Sequence, residues 1–142
     1  MKKIVFHPIK RQGNSVCSVR RWRSLLFLRA ALAKDHIGRG GETFETDQLY
    51  EAGGELAREV LSTLMDELGS FSYLEEIVQC TLYVASAGEY ADMPKAANGF
   101  SDVLTGIFGD RGRHARAAMG CERLSGNAAM TVEAIVRVRR DA

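Results

Sequence analysis

Phe108-Gly109-Asp110-Arg111-Gly112-Arg113-His114-Ala115-Arg116-Ala117-Ala118-Met119-Gly120 is the stretch on which the reading of the fold turns. Phe108 closes a helical pattern, and Gly109 is a fitting stop because glycine accepts the left-handed backbone of a helix end. From Arg113 to Glu122 the period becomes two. Ala115, Ala117 and Met119 share one face of a strand, Arg116 and Ala118 the other. Upstream, Met93, Ala96, Ala97, Phe100, Val103, Leu104 and Ile107 recur as one apolar stripe, which predicts a helix over Asp92 to Phe108. Asp92 is a good cap there, and Pro94 is tolerated in the first turn. Downstream, Gly126-Asn127 makes a turn and Ala129 to Arg139 reads as the last strand. Met130, Val132, Ala134, Val136 and Val138 lie opposite Thr131, Glu133, Ile135 and Arg137.

The same logic extends towards the amino end. Ile77 to Ala85 is a strand with Val78, Cys80, Leu82 and Val84 on one face. Ser72 to Glu76 reads as a helical turn before it. Leu49, Ala52, Leu56, Val60, Leu64 and Leu68 predict a helix that Thr46 or Asp47 caps and Gly69 ends. Gly53-Gly54 weakens that helix by about 1 kcal/mol per residue relative to alanine, which suggests close backbone approach to the sheet beneath. Ala33 to Phe44 is a polar loop. Residues 14–30 read as a hairpin with its turn near Arg21 to Ser24, Trp22 falling with Leu25–Leu28. Lys3 to Phe6 is a short strand candidate. The pattern is α+β: one mixed sheet with two helices packed on one face, in a single domain over residues 1–142. Several residues of the other face are apolar, so an oligomer that covers it is expected.

Composition narrows the function classes. The chain has 142 residues, 46% of them hydrophobic and 26% charged, which excludes disorder as the main state. No apolar run approaches the ~20 residues of a membrane span, and no secretory signal is visible, so a cytoplasmic protein without membrane partners is expected. The three cysteines (Cys17, Cys80, Cys121) and three histidines (His7, His36, His114) are scattered, which gives no metal box and no expectation of a metal or cofactor. Cys121 has nothing nearby in sequence to lower its pKa. Lys2, Lys3, Lys10, Arg11, Arg20, Arg21, Arg23 and Arg29 make the first 29 residues basic, within a chain of net charge +1. Such asymmetry fits nucleic acid or the solvated face of an edge strand. There are no paired carboxylates or histidine pair for phosphodiester chemistry, so nucleic acid is not the expected partner.

Asn98-Gly99-Phe100-Ser101-Asp102, the stretch from Phe108 to Gly120, and the ending Val132-Glu133-Ala134-Ile135-Val136 together resemble the YjgF/Rid family, also called endoribonuclease L-PSP. Glu51-Ala52 and Leu68-Gly69 fit as well. The resemblance covers about residues 14–139 and is densest over 92–138. It implies a chorismate-mutase-like fold and a homotrimer whose sheets form a central barrel, with ligand clefts between subunits. It also implies an activity: hydrolysis of reactive 2-imino and 2-enamino acids to 2-oxo acids and ammonia. Such a substrate carries a carboxylate, and arginine offers it two parallel donors on a permanent cation. Arg116 falls at the family's carboxylate-binding arginine, and Asn98 aligns with an asparagine near the cleft. His114 points to the same side of the strand as Arg116, although the family does not require it for chemistry.

Four features depart from the family pattern. Thr131 stands where deaminase members carry the glutamate that helps hold water; it can hydrogen-bond water but is no base at neutral pH. Arg29-Ala30 replaces Ser-Gly, and Ala118 replaces a cysteine near the arginine. No tyrosine occurs in residues 1–30 to form an aromatic wall. The candidate catalytic residues are therefore Arg116 and Thr131, and the candidate ligand contacts Arg116, Asn98, Arg29 and Ala118. Binding of a small carboxylate without turnover is the alternative function, and RNA binding or cleavage the third.

Overall fold

In the computed structural model, residues 16–142 are described; the strand expected over Lys3–Phe6 lies outside them. The elements run β1 (Val19–Trp22), β2 (Leu25–Leu32), α1 (Thr46–Leu68), β3 (Leu74–Ala85), α2 (Met93–Phe108), β4 (Ala115–Cys121) and β5 (Met130–Val138). Five strands form one sheet in the order β1-β2-β5-β3-β4. The β3–β4 pair is parallel, because α2 crosses over between them, and the other pairs are antiparallel. No helix among the described residues is long and apolar enough to cross a membrane. The expected α+β layer is present, with both helices on one face of the mixed sheet.

The core lies between the helices and that face. Leu26, Leu82, Val132 and Val136 project from the sheet, and Leu49, Leu56, Leu64, Phe100 and Leu104 from the helices; all are buried. Phe108 replaces Ile107 as the last buried residue of α2, because Ile107 falls on the solvent side. On β3 the expected alternation breaks. A register shift between Ile77 and Gln79 inserts Val78 as a bulge, so Ile77 is buried and Val78 only half so. Trp22 belongs to β1 rather than β2, across a two-residue turn in which Arg23 takes φ 55. Glu45, not Thr46 or Asp47, is the amino-terminal cap of α1, and its N–H donates to Gln48 Oε1 at 2.9 Å.

The glycines of α1 do a different job from the one expected. A Cβ on Gly53 would lie 2.7 Å from the backbone nitrogen of Phe100 and 3.1 Å from the carbonyl oxygen of Ala96. A Cβ on Gly99 would run into the carbonyl of Tyr50. Gly53 and Gly99 thus let α1 and α2 touch backbone to backbone, whereas the expectation placed the sheet there. Gly54 faces only the far end of the Arg58 side chain. The outcome that matters for function is the position of α2: its close crossing with α1 fixes where Asn98 and Ser101 stand over the β4 edge.

The opposite face of the sheet carries no helix. Cross-strand register puts Trp22, Phe27, Ile135, Thr81, Tyr83 and Met119 on it. Trp22 is 59% exposed, Phe27 41% and Met119 42%. Across its lower end Arg137 pairs with Glu75 and, at 3.0 Å, with Glu76.

Candidate functional site

Arg116 sits in the second position of β4, opposite Cys80 of β3, so it faces the helices. There the side of α2 waits with three acceptors. Arg116 Nη1 donates to Asn98 Oδ1 at 2.9 Å and to Ser101 Oγ at 3.1 Å, and Nη2 donates to the Pro94 carbonyl at 3.3 Å. Asn98 and Ser101 are three apart on one helix, the spacing that puts side chains on one face. Pro94 is one turn earlier. A guanidinium has five N–H donors; among the described residues three of Arg116's are used. The unused ones are the Nε–H and one N–H of Nη2, and Nε and Nη2 are neighbours on one edge of the guanidinium.

Beneath and beside the arginine the environment is neutral. Burial pushes the Cys80 thiol up to about 12, against the opposing pull of the Arg116 charge, so Cys80 stays a thiol. His114 packs edge-on against Phe100 at 6.0 Å between ring centroids. Its Nδ1 lies 2.7 Å from the Gly112 carbonyl oxygen and its Nε2 2.9 Å from Ser101 Oγ. Burial lowers the His114 pKa; the Gly112 hydrogen bond raises it and the Arg116 charge lowers it. Ala118 follows Arg116 by two residues on the same face and packs on the core. Asn98, Arg116 and Ala118 are therefore brought together, with His114 and Ser101. Ser101 and the Pro94 carbonyl are the partners that sequence reasoning missed. The signal for Ser101 was its place one helical turn after Asn98 within Asn98-Gly99-Phe100-Ser101-Asp102.

The other candidates lie elsewhere in the chain. Arg29 and Ala30 form a bulge in β2: Leu28 pairs with Ala134 and Ala31 with Val132, so two residues oppose Glu133 alone. The Arg29 N–H is held by the Ser18 carbonyl at 2.8 Å. Its exposed side chain lines a groove of about 350 Å³ with Ser18, Lys34, Glu59 and Thr63. Thr131 is on the outward face, opposite Tyr83, and is 7% exposed. Its hydroxyl donates to the Ala31 carbonyl at 2.5 Å. Two strands, β5 and β3, separate the β2 bulge from β4. Within one chain neither Arg29 nor Thr131 meets Arg116. Burial raises the Cys121 pKa, which leaves it a thiol. Among the described residues no group of three His, Cys, Asp or Glu could hold a metal ion.

This arrangement can be set against known proteins. No protein-family model matches the chain. Protein TCP17 of Trypanosoma cruzi is 30% identical over 102 residues, which are 71% of this chain; the match spans 64% of that relative's length. The Agrobacterium tumefaciens protein Atu1372, a structure of unknown function, superposes with a TM-score of 0.85 at 26% identity, over 87% of this chain and 82% of that one. A candidate endoribonuclease from Shewanella oneidensis gives the same TM-score at 19% identity, over 93% and 91%. That likeness shows the fold, under the name that the family resembled in sequence also bears. With its signature residues gathered where α2 overhangs β4, the chain shares the fold of these structures along nearly its whole length.

Proposed function

We propose that the protein hydrolyses small 2-imino or 2-enamino acids to 2-oxo acids and ammonia, with Arg116 as the clamp for the substrate carboxylate. One observation carries this reading. Arg116 is oriented by three acceptors from α2 and keeps Nε–H and one Nη2–H unused among the described residues. A carboxylate placed on that edge receives two roughly parallel charged donors, the strongest geometry a protein offers it. The imine carbon is already electrophilic, so the chemistry asks for orientation and one placed water rather than a strong nucleophile. Thr131 is the candidate for holding that water, through a lone pair of its hydroxyl oxygen.

Arg116 and Thr131 lie on opposite faces of the sheet, so a complete site needs a second copy of the chain. The uncovered face with Trp22, Phe27 and Met119 supports association through the sheet, and the sequence resemblance implies three copies with clefts between them. Arg29 would then reach a neighbouring copy's cleft and recharge it. Light scattering should give three times the mass of one chain.

The test generates 2-imino acids with an amino-acid oxidase and lets semicarbazide compete for the imine. Protein-dependent loss of the semicarbazone signal, abolished by Arg116→Ala, supports the reading. Unchanged signal across small, apolar and charged side chains contradicts it. A second reading is binding without turnover. It is favoured by Thr131, whose hydroxyl proton is already committed to Ala31 and whose oxygen is no base. Thermal protection by a 2-oxo acid without product formation would select it.

A further inference from the structure

The hydrogen bonds around Ser101 have a direction: donation runs from Arg116 through Ser101 to His114 and on to the Gly112 carbonyl. The Gly112 carbonyl, 2.7 Å from His114 Nδ1, can only accept, so Nδ1 carries the proton. The ring is neutral at physiological pH, because burial and the Arg116 charge both oppose a second proton. Nε2 therefore presents a lone pair. Ser101 Oγ, at 2.9 Å, has one O–H and must give it to Nε2. What remains on Oγ is lone pairs, and these face Arg116 Nη1 at 3.1 Å. Without the imidazole that acceptor is gone, and nothing on His114 draws the Ser101 proton away from Arg116.

We infer that His114 and Ser101 are positioning residues for substrate recognition: the imidazole fixes the serine hydroxyl as an acceptor, and the serine holds the Arg116 guanidinium with its Nε–Nη2 edge free for the carboxylate. The inference rests on the proposed role of Arg116 and assigns to this pair what the family resemblance leaves without a role. Neither residue touches the reacting atoms.

The test combines a spectrum with a double-mutant cycle. Nitrogen-15 NMR of the His114 ring in the whole protein should show a protonated Nδ1 and a bare Nε2, and Ser101→Ala should shift the Nε2 signal. Pyruvate, a minimal 2-oxo acid, serves as the binding probe. His114→Phe keeps the aromatic packing on Phe100 and should weaken pyruvate binding about fivefold, the factor that ~1 kcal/mol for one hydrogen bond carries. Ser101→Ala should do the same, Ser101→Thr should restore most of it, and His114→Phe should have no further effect once Ser101 is alanine. An Nε2-protonated ring would overturn the inference, as would additive effects of the two substitutions. If wild-type protein binds no pyruvate, the Arg116 reading fails. The NMR arm still decides whether the relay exists.

Discussion

The two ends of the sheet treat their arginines in opposite ways. At the β4 edge Arg116 is gripped by Asn98, Ser101 and Pro94, with a neutral histidine and a neutral thiol around it. At the β2 bulge Arg29 stands exposed over a groove that it shares with Lys34 and Glu59. The first arginine has lost most of its freedom before any ligand arrives, so binding costs it little entropy. The second has not. Thr131, near the β2 end, points away from Arg116 and hydrogen-bonds to the backbone. On the proposed reading, carboxylate recognition belongs to the β4 end of one chain, and a neighbouring copy completes the β2 end.

Removing the gripped arginine is the hardest test of this contrast. Arg116→Ala should lower imine hydrolysis by about 10- to 100-fold, since a charge-assisted hydrogen bond contributes ~1.5–3 kcal/mol. Circular dichroism should show the fold retained. Turnover that survived would place recognition at the other end. Next in size is Gly99→Ala, which forces α1 and α2 apart where the Tyr50 carbonyl touches Gly99. Urea unfolding should show a loss of about 1–3 kcal/mol, and pyruvate affinity should fall because Asn98 and Ser101 move with the helix. Thr131→Val keeps the shape and deletes the bond to Ala31. It should cost ~1 kcal/mol of stability and reduce turnover far less than Arg116→Ala does. A loss of turnover equal to that of Arg116→Ala would make the water held by Thr131 as important as the carboxylate clamp.

A pH series separates the ends further. The folded His114 pKa lies below its unfolded value of about 6.5. Below that pH the unfolded chain takes up a proton that the buried ring refuses. The resulting stability is present above pH ~6.5 and is lost as pH falls towards the lower folded value. Thermal melts from about pH 5 to 7 should rise with pH, and His114→Phe should flatten the rise. The smallest change is at Gly54, where a Cβ meets only a mobile Arg58 tip. Gly54→Ala should stabilise the helix by up to ~1 kcal/mol.

Much of the fold was legible because strict periods carried it. Val132, Ala134 and Val136 alternate with Glu133, Ile135 and Arg137 on β5, and Leu49, Leu56 and Leu64 repeat on α1, so each element announced its buried face. What failed was what periodicity cannot encode. A bulge at Val78 shifts the phase of β3 by one residue, and hydrogen-bond register alone reveals it. Gly53 read correctly as a close approach, but one helix's sequence does not say which backbone comes near. The site divided in the same way. Arg116 and Asn98 sit in a signature dense enough to be read, whereas Arg29 and Thr131 do not meet them within one chain, because β5 and β3 lie between β2 and β4. Ser101 was visible in the motif, and its role emerged only when α2 was seen to lie over β4.

The most direct measurement is calorimetric titration of pyruvate into wild-type protein and Arg116→Lys. Lysine keeps the positive charge and loses the pair of parallel donors. The account predicts micromolar-to-millimolar binding by wild type and at least a tenfold loss in the lysine variant, with both proteins equally folded. Equal affinity in the two would mean that charge alone suffices, and would contradict the claim that α2 holds Arg116 to present one edge.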